Sequence, residues 1–414
     1  MNAKLYALKM KLAEFQAALR GVFEDQFATL RLRITEQGNC ITLISGGNWT
    51  IGTSFPDPNR EPVFASYLVM SKAPLAPLQR ATQGQTILNL IVSREQPERV
   101  RVILYVDGQA RSLDRLQILG PGMIRLSPSD SDEWATKPTK RNSRIQQVQG
   151  SASRTWASAT LLVVGGGSGG SSIGLQLASQ NPASIIVVDP DPVKSHNLVN
   201  MPHARPVDAK RQRRKAYVLA RAIHANAPRI LVQGIAKRIQ QPDVQEYLQG
   251  REPIAVFSFV DDVAAHFASS LLAQRLLVPH VAIGTLVQSD EASGKVLQQA
   301  DVRLLEPGKG CVRCVPWMQE AQYKEAIYEL HRPLGAMRRG PPRTWRANGR
   351  IGSSLALNQM AAGLAVELFA RYLRGEVTTS TWIRYFSGRK DASELLESSV
   401  GASPECEYCD RPSG

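Results

Sequence analysis

The segment LLVVGGGSGG, residues 161–170, decides the fold of the larger part of this chain. Leu161–Val164 is an apolar run typical of a buried strand, and a helical pattern follows from Ser171. Glycines stand at Gly165, Gly167 and Gly170, the positions of a G-x-G-x-x-G turn, which lets phosphates approach the backbone beside a helix N-terminus. A glycine-rich turn that serves only packing is the alternative. The strand before the turn and the helix after it favour a nucleotide site.

The pattern downstream of this loop extends the same unit. Ile185–Val188 is a second apolar run, and it ends in Asp189. An acid about 20 residues after the last glycine suits a pair of ribose hydroxyls. Apolar runs alternate with helical stretches as far as Val260, which is typical of a parallel sheet covered on both faces. The sequence therefore predicts an α/β, Rossmann-like domain with a mixed, mostly parallel sheet and helices on both faces. A dinucleotide-dependent oxidoreductase would look the same up to Asp189.

Further motifs follow the glycine loop in order, and one precedes it. They are Asp189-Pro190-Asp191-Pro192-Val193, Ser195-His196-Asn197-Leu198, a helix from Lys215 to Asn226-Ala227-Pro228, a strand ending in Val260-Asp261-Asp262, and upstream Arg141-Asn142-Ser143-Arg144-Ile145. This ordered set resembles the superfamily of ThiF/MoeB-type adenylyltransferases and ubiquitin-activating enzymes, in particular its bacterial ubiquitin-activating-like members. The resemblance runs from about Arg141 to the C-terminus. It disfavours an oxidoreductase, which would not explain the later motifs.

The resemblance implies adenylation of a carboxylate by ATP, and it suggests a role for each matching residue. Asp189 would take the ribose hydroxyls and Lys215 would hold phosphate oxygens. Asp261 would hold Mg²⁺, because negative charge builds on the phosphates as pyrophosphate leaves. Arg144 would reach the phosphates from its own subunit or from the other subunit of a homodimer. Two further polar residues, Asp191 and Asn197, would line the same pocket.

Each of these residues also has a structural interpretation. Asp191 and Asn197 are residue types that cap turns, and Asp261-Asp262 is a plausible helix N-cap. Lys215 lies in the basic run Lys210–Lys215, which suits a solvated helix face, and Lys210 is the competing candidate for the phosphates.

One position departs from the family. The family's N-L-x-R-Q motif carries Arg where this chain has Asn200, so a phosphate-binding cation is missing there. Arg205, Arg211 and Arg214 are the candidate substitutes. Without a substitute, the chemistry would be slow or would depend on a partner.

Four of the five cysteines form two C-x-x-C pairs, Cys311/Cys314 and Cys406/Cys409. In a chain without an apparent export signal, this spacing favours zinc over disulfides. Four thiolates suit tetrahedral Zn²⁺ and fill every coordination position, which makes the site structural. In the superfamily, such a zinc ties the crossover region to the C-terminus. Free thiols or a redox pair are the alternatives.

The fifth cysteine bears on acyl transfer. Many ubiquitin-activating enzymes pass the acyl group to a cysteine in the crossover segment, and Val315–Leu355 contains none. A covalent intermediate would then use Cys40 or a hydroxyl, and a hydroxyl would need a base, for which His331 is the histidine in that segment. The candidate hydroxyls are Thr344, Ser353 and Ser354. The simplest reading is that the enzyme stops at the acyl-adenylate.

The chain has 414 residues and a net charge of +14, with no apolar run long enough to cross a bilayer. We expect an N-terminal α+β domain over 1–130, beginning with a helix and continuing with β-like segments from Leu30 to Val106. A linker would follow over 131–142, then the adenylation domain over 143–414 with a crossover segment at about 315–352. The composition and the unremarkable N-terminus favour a cytoplasmic protein. The basic charge would suit acidic partners, but no aromatic-interleaved nucleic-acid motif accompanies it.

Three functions remain open from the sequence. The leading one is activation of a ubiquitin-like, β-grasp protein for conjugation, with the N-terminal domain recruiting a conjugating enzyme. The first alternative is activation of a sulfur-carrier protein, as in thiamine or molybdopterin synthesis. The second is a nucleotide-binding scaffold with little activity, to which Asn200 and the missing crossover cysteine both point.

Overall fold

The computed structural model describes the backbone of eight strands between residues 31 and 126, and then residues 143–276, 278–289, 296–315, 352, 354–388, 393–404, 406, 408 and 409. The helix expected at the N-terminus, the linker at 131–142 and most of the crossover segment lie outside the described residues. The chain divides into two compact units, the second of which comprises Pro138–Tyr372 and Thr379–Gly414.

The first unit contains two four-stranded sheets, ordered β1-β2-β7-β8 and β3-β4-β5-β6. Each sheet includes one parallel pair, β2 with β7 and β3 with β4. The β-like segments predicted between Leu30 and Val106 are strands. The strands are β1 (Arg31–Thr35), β2 (Gly38–Ile44), β3 (Phe64–Ser71), β4 (Thr86–Ser93), β5 (Val100–Val106), β6 (Gln109–Ser112), β7 (Arg115–Leu119) and β8 (Ile124–Leu126).

The second unit is built on one eight-stranded sheet of order β11-β10-β9-β12-β13-β14-β15-β16. The five strands from β11 to β13 run parallel, and the remaining three pair antiparallel. The predicted mixed, mostly parallel sheet is therefore confirmed. The strands are β9 (Thr160–Val164), β10 (Ser184–Val188), β11 (Leu231–Ile235), β12 (Ala255–Ser258), β13 (His280–Ser289), β14 (Val296–Leu305), β15 (Thr381–Ser387) and β16 (Glu394–Ser399).

Eight α-helices are described around this sheet. They are α1 (Ser143–Gln149), α2 (Ser153–Ser158), α3 (Ser168–Ser179), α4 (Pro206–Lys210), α5 (Lys215–Asn226), α6 (Pro242–Gln249), α7 (Val263–Leu276) and α8 (Leu355–Leu373). Within the described part of the chain, none of these helices combines the length and the apolar character needed to cross a membrane.

Helices cover both faces of the sheet because successive side chains of a strand point to opposite faces. Phe257 of β12 packs edge-on against Phe369 of α8, with ring centroids 5.2 Å apart. Its neighbour Ser258 points to the other face and contacts His266 of α7. Both aromatic rings are fully buried, and each such burial contributes roughly 1.5–3 kcal/mol.

The parallel strands end together at one edge of the sheet. Val164 of β9 pairs with Val188 of β10 on one side and with Ser258 of β12 on the other. The ladder continues one residue further, since Gly165 N–H donates to the Val188 carbonyl at 2.9 Å and Phe259 N–H donates to the Val164 carbonyl at 3.0 Å. The loops that follow these three strands therefore meet at the carboxyl edge, the usual ligand crevice of such sheets.

Candidate functional site

The glycine loop between β9 and α3 is shaped by close backbone contacts. Gly165 has φ +107°, and a Cβ there would lie 2.5 Å from the Phe259 carbonyl oxygen. A Cβ on Gly170 would overlap the Gly165 carbonyl group. Gly167 differs from both, because an added Cβ would meet nothing within 4 Å. Two glycines of the motif thus close the turn, while the middle one borders open space at the start of α3.

This contrast gives a paired prediction. We expect Gly170→Ala to destabilise the domain by about 1–3 kcal/mol or more, because the new methyl group forces the Gly165 backbone to move. Gly167→Ala should leave the melting temperature unchanged, since its φ of −77° suits alanine, but should weaken ATP binding by filling the open space. Thermal melts with and without ATP measure both effects. Gly401→Ala, which also meets open space, is the control for the substitution itself.

Asp189 holds the glycine loop in place. This residue follows β10 and is 7% exposed. Its carboxylate accepts one hydrogen bond from Gly166 N–H at 2.6 Å and another from Asp191 N–H at 2.7 Å. Burial raises the pKa of this carboxyl above its ordinary value, although the nearby Lys215 ammonium opposes the shift. Asp189 therefore joins the glycine loop to the next turn at the edge where its proposed ribose ligand would bind.

Lys215 is the first residue of helix α5, and its side chain lies against Asp191 at the same edge of the sheet. Its backbone N–H donates to the Asp191 carbonyl at 2.8 Å, and its Nζ lies 3.0 Å from Asp191 Oδ2. The side chain is only 14% exposed, and burial opposes its charge. The carboxylates of Asp189, Asp191 and Asp261 outweigh that effect and raise the pKa of Lys215. The ammonium is thus partnered and largely buried, unlike a solvated basic face, whereas Lys210 is exposed.

Asp261 and Asp262, which follow β12, have different roles. Asp262 Oδ1 accepts from Ala264 N–H at 3.0 Å in the first turn of α7, and Oδ2 accepts from Gln240 Nε2 at 3.3 Å. Burial raises the pKa of Asp262. Asp261 is exposed and close enough to Lys215 to influence its charge. Asp262 therefore supplies the helix-capping contact, and the Asp261 carboxylate remains available to a ligand.

The electrostatics of this cluster favour an added cation. When Asp189, Asp191, Lys215 and Asp261 are all ionised, they carry a net charge of −2, which by itself repels a polyphosphate. Carboxylate and phosphate oxygens are the ligands that Mg²⁺ prefers, and Mg²⁺ usually binds through one or two carboxylates together with substrate phosphates. The donor set therefore fits Mg²⁺, and its exposed carboxylates are Asp261 and Asp191, of which Asp191 is already paired with Lys215.

The arginines proposed to replace the family's missing cation are placed differently from one another. Arg205 and Arg211 are exposed, and the Arg205 backbone N–H donates to Asp208. Arg214 Nη1 donates to the Pro190 carbonyl at 2.9 Å, between Asp189 and Asp191 in sequence. Arg214 is therefore anchored on the turn of the candidate site and is the best placed of the three.

No contact that the structure describes ties Asn197 or Arg144 to this cluster. Asn197 Oδ1 accepts from Lys194 N–H at 2.9 Å and closes a short 3-10 turn, Ser195–Asn197, which is the turn-capping role. Arg144 is exposed on α1. Its action on the phosphates stays a prediction, as does its origin in one subunit or the other.

Sequence reasoning missed a buried amide beneath the start of α3. Asn358 of α8 is 2% exposed, and its Nδ2 donates to Ser168 Oγ at 2.7 Å. Its Oδ1 accepts from Thr285 Oγ1 at 2.7 Å. The amide thus ties the first residue of α3 to β13 and α8, which fixes the direction of the helix N-terminus behind the glycine loop. The local sequence offered little signal, because the helical stretch Leu355–Leu373 also contains Gln359, Glu367 and Arg371.

The four paired cysteines converge as the sequence predicted. Their Sγ atoms all lie within 4.8 Å of one another, with Cys311–Cys314 at 3.8 Å, Cys311–Cys406 at 3.6 Å and Cys314–Cys409 at 3.5 Å. Tetrahedral zinc with Zn–S bonds of about 2.3 Å requires sulfurs roughly 3.8 Å apart. The cluster could therefore hold a zinc ion, and all four ligands would come from the protein.

Helix α7 contacts the segments that carry the two cysteine pairs. Phe267 packs edge-on against Tyr408, with ring centroids 5.1 Å apart. Gln274 accepts from Gly308 N–H at 3.0 Å and donates to the Gly310 carbonyl at 3.2 Å. Gln274 lies roughly 18 Å along the helix from Asp262, at 1.5 Å per residue. The cysteine cluster thus braces the helix whose other end follows Asp261.

Comparison with known proteins identifies one matching family and several similar solved structures. The sequence profile of the ThiF family matches residues 139–398. Among solved structures, E. coli MccB with ATP is similar at 18% identity and a TM-score of 0.49, over 66% of this chain and 75% of that chain. E. coli MccB with MccA-N7isoAsn is similar at 18% identity and a TM-score of 0.48, over 67% and 76%. No curated protein sequence matches the chain.

Proposed function

The chain belongs to the ThiF family, and we propose that it adenylates the C-terminal carboxylate of a ubiquitin-like, β-grasp protein with ATP, releasing pyrophosphate. The observation that carries the proposal is the meeting of Lys215 with Asp189, Asp191 and Asp261 beside the glycine loop. These residues come from the ends of different strands and from the start of α5. Their convergence at the carboxyl edge of the sheet supports a nucleotide site.

The chemistry assigned to these residues is a displacement at phosphorus. A carboxylate oxygen of the substrate attacks the α-phosphorus of ATP, the bond from that phosphorus to the bridging oxygen breaks, and pyrophosphate leaves with the electron pair. The attacking carboxylate is already ionised at neutral pH, so no general base is required. Lys215 stabilises the charge on the phosphate oxygens. Mg²⁺ held by Asp261 would offset the negative charge of the polyphosphate.

Acyl transfer is assigned to a separate protein. Every cysteine whose side chain the structure describes belongs to the cluster at Cys311, Cys314, Cys406 and Cys409. Those thiols are committed to one another, so none serves as an acyl acceptor. Cys40 lies on β2 of the other unit, and the candidate hydroxyls Thr344 and Ser353 lie outside the described residues. The third candidate, Ser354, is described, and its Oγ accepts from Leu357 N–H at 3.3 Å at the start of α8. An acyl-adenylate that leaves the enzyme for another acceptor fits this arrangement.

The finer assignments extend the same proposal. We place the enzyme in a conjugation pathway resembling ubiquitination, acting as a homodimer with a conjugating enzyme recruited by the N-terminal unit. Activation of a sulfur carrier is the alternative outcome. A thiocarboxylate product would identify the sulfur-carrier pathway, whereas an amide or ester on a target would identify conjugation.

ATP–pyrophosphate exchange tests the proposal directly. Purified protein is incubated with ATP, labelled pyrophosphate and a β-grasp protein encoded near its gene. We expect exchange that depends on both proteins, and we expect Asp261→Ala to abolish it because the metal would lose its ligand. Gln240→Ala, which removes a contact of the capping Asp262, is the matched control and should retain activity. Full activity in Asp261→Ala would show that the site assignment is wrong.

A further inference from the structure

Three polar side chains lie fully buried beneath the turn that carries Asp261. They are Ser258 on β12, His266 on α7 and His280 at the start of β13, each no more than 5% exposed. His266 Nδ1 is 2.8 Å from Ser258 Oγ, and Ser258 Oγ is 2.7 Å from His280 Nε2. His266 Nε2 is 3.0 Å from the Val260 carbonyl oxygen. The chain of contacts therefore ends on the residue immediately before Asp261.

The Val260 carbonyl sets the direction of every hydrogen bond in this side-chain network. A carbonyl oxygen only accepts, so His266 Nε2 carries the proton and donates to Val260. In a neutral imidazole, Nδ1 must then accept, and the Ser258 hydroxyl donates to it. The Ser258 oxygen in turn accepts from His280 Nε2–H. His280 Nδ1 is left as a lone pair, and it has no partner among the described residues, as this assignment requires.

Both imidazoles are held in the neutral form that these hydrogen bonds require. Burial, reinforced by the nearby Arg303 guanidinium, lowers the pKa of His266 to about 4. Burial also lowers the pKa of His280 well below its ordinary value, with His266 and Arg303 adding to the effect. At neutral pH the network therefore has one proton arrangement and one direction.

The network acts on Asp261 through the geometry of the peptide bond. The peptide unit from Val260 to Asp261 is planar, so holding the Val260 carbonyl also fixes the direction of the Asp261 N–H and limits the position of its Cα. On the other side, the Asp262 carboxylate holds the next turn through Ala264 N–H. Asp261 is thus the one exposed residue between two anchored neighbours, and its charge acts on Lys215.

We propose that His266, supported by Ser258 and His280, is a positioning residue that holds the Asp261 carboxylate in place for the metal bound to the phosphates of ATP. This inference rests on the proposed function, because it assigns Asp261 to Mg²⁺. A purely structural network would only fill the core and satisfy its own polar atoms. The two roles differ in whether loss of the Val260 hydrogen bond changes metal-dependent binding.

Two similar substitutions at His266 separate these roles. Gln places an amide N–H₂ near the position of Nε2 and can keep the donor to the Val260 carbonyl. Asn reaches only the position of Nδ1, so it keeps a polar group toward Ser258 but loses the donor to Val260. The readout is the affinity for the ATP analogue AMPCPP by calorimetry, measured with Mg²⁺ and with EDTA. The ratio of the two affinities isolates the contribution of the metal.

We expect His266→Asn to reduce this ratio by about 10-fold or more, the usual cost of losing an outer contact that orients a metal ligand. His266→Gln should stay close to the wild-type ratio. In an Asp261→Ala background, His266→Asn should have no further effect on the ratio. Should His266→Asn fail to fold, Ser258→Ala takes its place, because it releases the ring from the other side and should lower the ratio in the same direction.

The outcomes separate this inference from the proposed function. No binding of AMPCPP to the wild-type protein would contradict the proposed function itself. Binding without any gain from Mg²⁺, or a gain that survives His266→Asn while only the melting temperature falls, would overturn the positioning role and leave nucleotide binding intact.

Discussion

Replacing Lys215 with Met is expected to lower the rate of ATP–pyrophosphate exchange by about 10²–10³-fold, the typical cost of removing one group that stabilises charge developing in the transition state. Met has a similar length but no charge. The Lys215 ammonium lies within reach of three carboxylates and is largely buried, so solvent cannot replace it in that position. The exchange rate at saturating ATP measures the effect, with the melting temperature as a check on folding.

Lys210 provides the matched control for this substitution. It lies in the same basic run but is exposed at the end of α4. Lys210→Met removes the same charge from the chain and should leave exchange within about twofold, because exposed charges at this range are screened. Equal losses from the two substitutions would mean that general positive charge, and not the position of Lys215, promotes the reaction.

Lys215→Arg refines the same experiment. Arg keeps the charge but replaces a compact ammonium with a wider planar group. Because Lys215 is confined beside Asp191, we expect Arg to restore only part of the lost rate. Complete restoration would indicate that charge alone matters at this site and that the tight contact with Asp191 does not.

The local part of the site could be predicted from the sequence because its parts are short and ordered. The glycine loop follows a buried strand directly, and Asp189 and Asp261 follow strands of the same parallel sheet. Since the carboxyl ends of parallel strands share one edge, residues that follow those strands must meet. Lys215 required only the additional inference that it starts a helix, and the structure begins α5 at that residue.

Contacts between distant parts of the chain could not be predicted in this way. Asn358 reaches Ser168 across 190 residues, and no local pattern specifies that pair. The family resemblance assigned Mg²⁺ to Asp261, but the local sequence does not show which of Asp261 and Asp262 caps α7, because that depends on which carboxylate turns toward the helix N–H groups. The network of Ser258, His266 and His280 was missed because it depends on contacts between side chains of three different elements.

Arg213 of the basic run and Arg221 of α5 both form ion pairs with one buried carboxylate, that of Asp208. Asp208 is fully buried and accepts hydrogen bonds from Arg213 and Arg221 as well as from the Arg205 backbone. These guanidinium groups hold the pKa of Asp208 well below its ordinary value. Two arginines that composition alone would assign to an acidic partner therefore serve the fold, which lowers the charge left for outside ligands.

The other large expected effect is a fall in stability when the cysteine cluster cannot hold zinc. Purified protein should contain about one Zn²⁺ per chain, and Cys406→Ser should weaken binding strongly because a structural site takes all four of its ligands from the protein. The free energy of zinc binding in small domains is about 10–16 kcal/mol, and much of it is coupled to folding. If only a third to a half of it stabilises this larger domain, the melting temperature should fall by roughly 10 °C or more.

The physical reason lies in how the cluster is anchored. Without a metal, the three close sulfur pairs, at 3.5–3.8 Å, would be joined only by weak thiol contacts, and the segment carrying Cys406 and Cys409 would lose its strongest tie to Cys311 and Cys314. The Phe267–Tyr408 contact would then loosen, and with it one side of α7. Metal content by mass spectrometry and thermal melts before and after chelation measure both steps. Cys40→Ser, which changes the cysteine outside the cluster, should retain zinc and stability, and an unchanged melting temperature in Cys406→Ser would exclude a structural metal at this site.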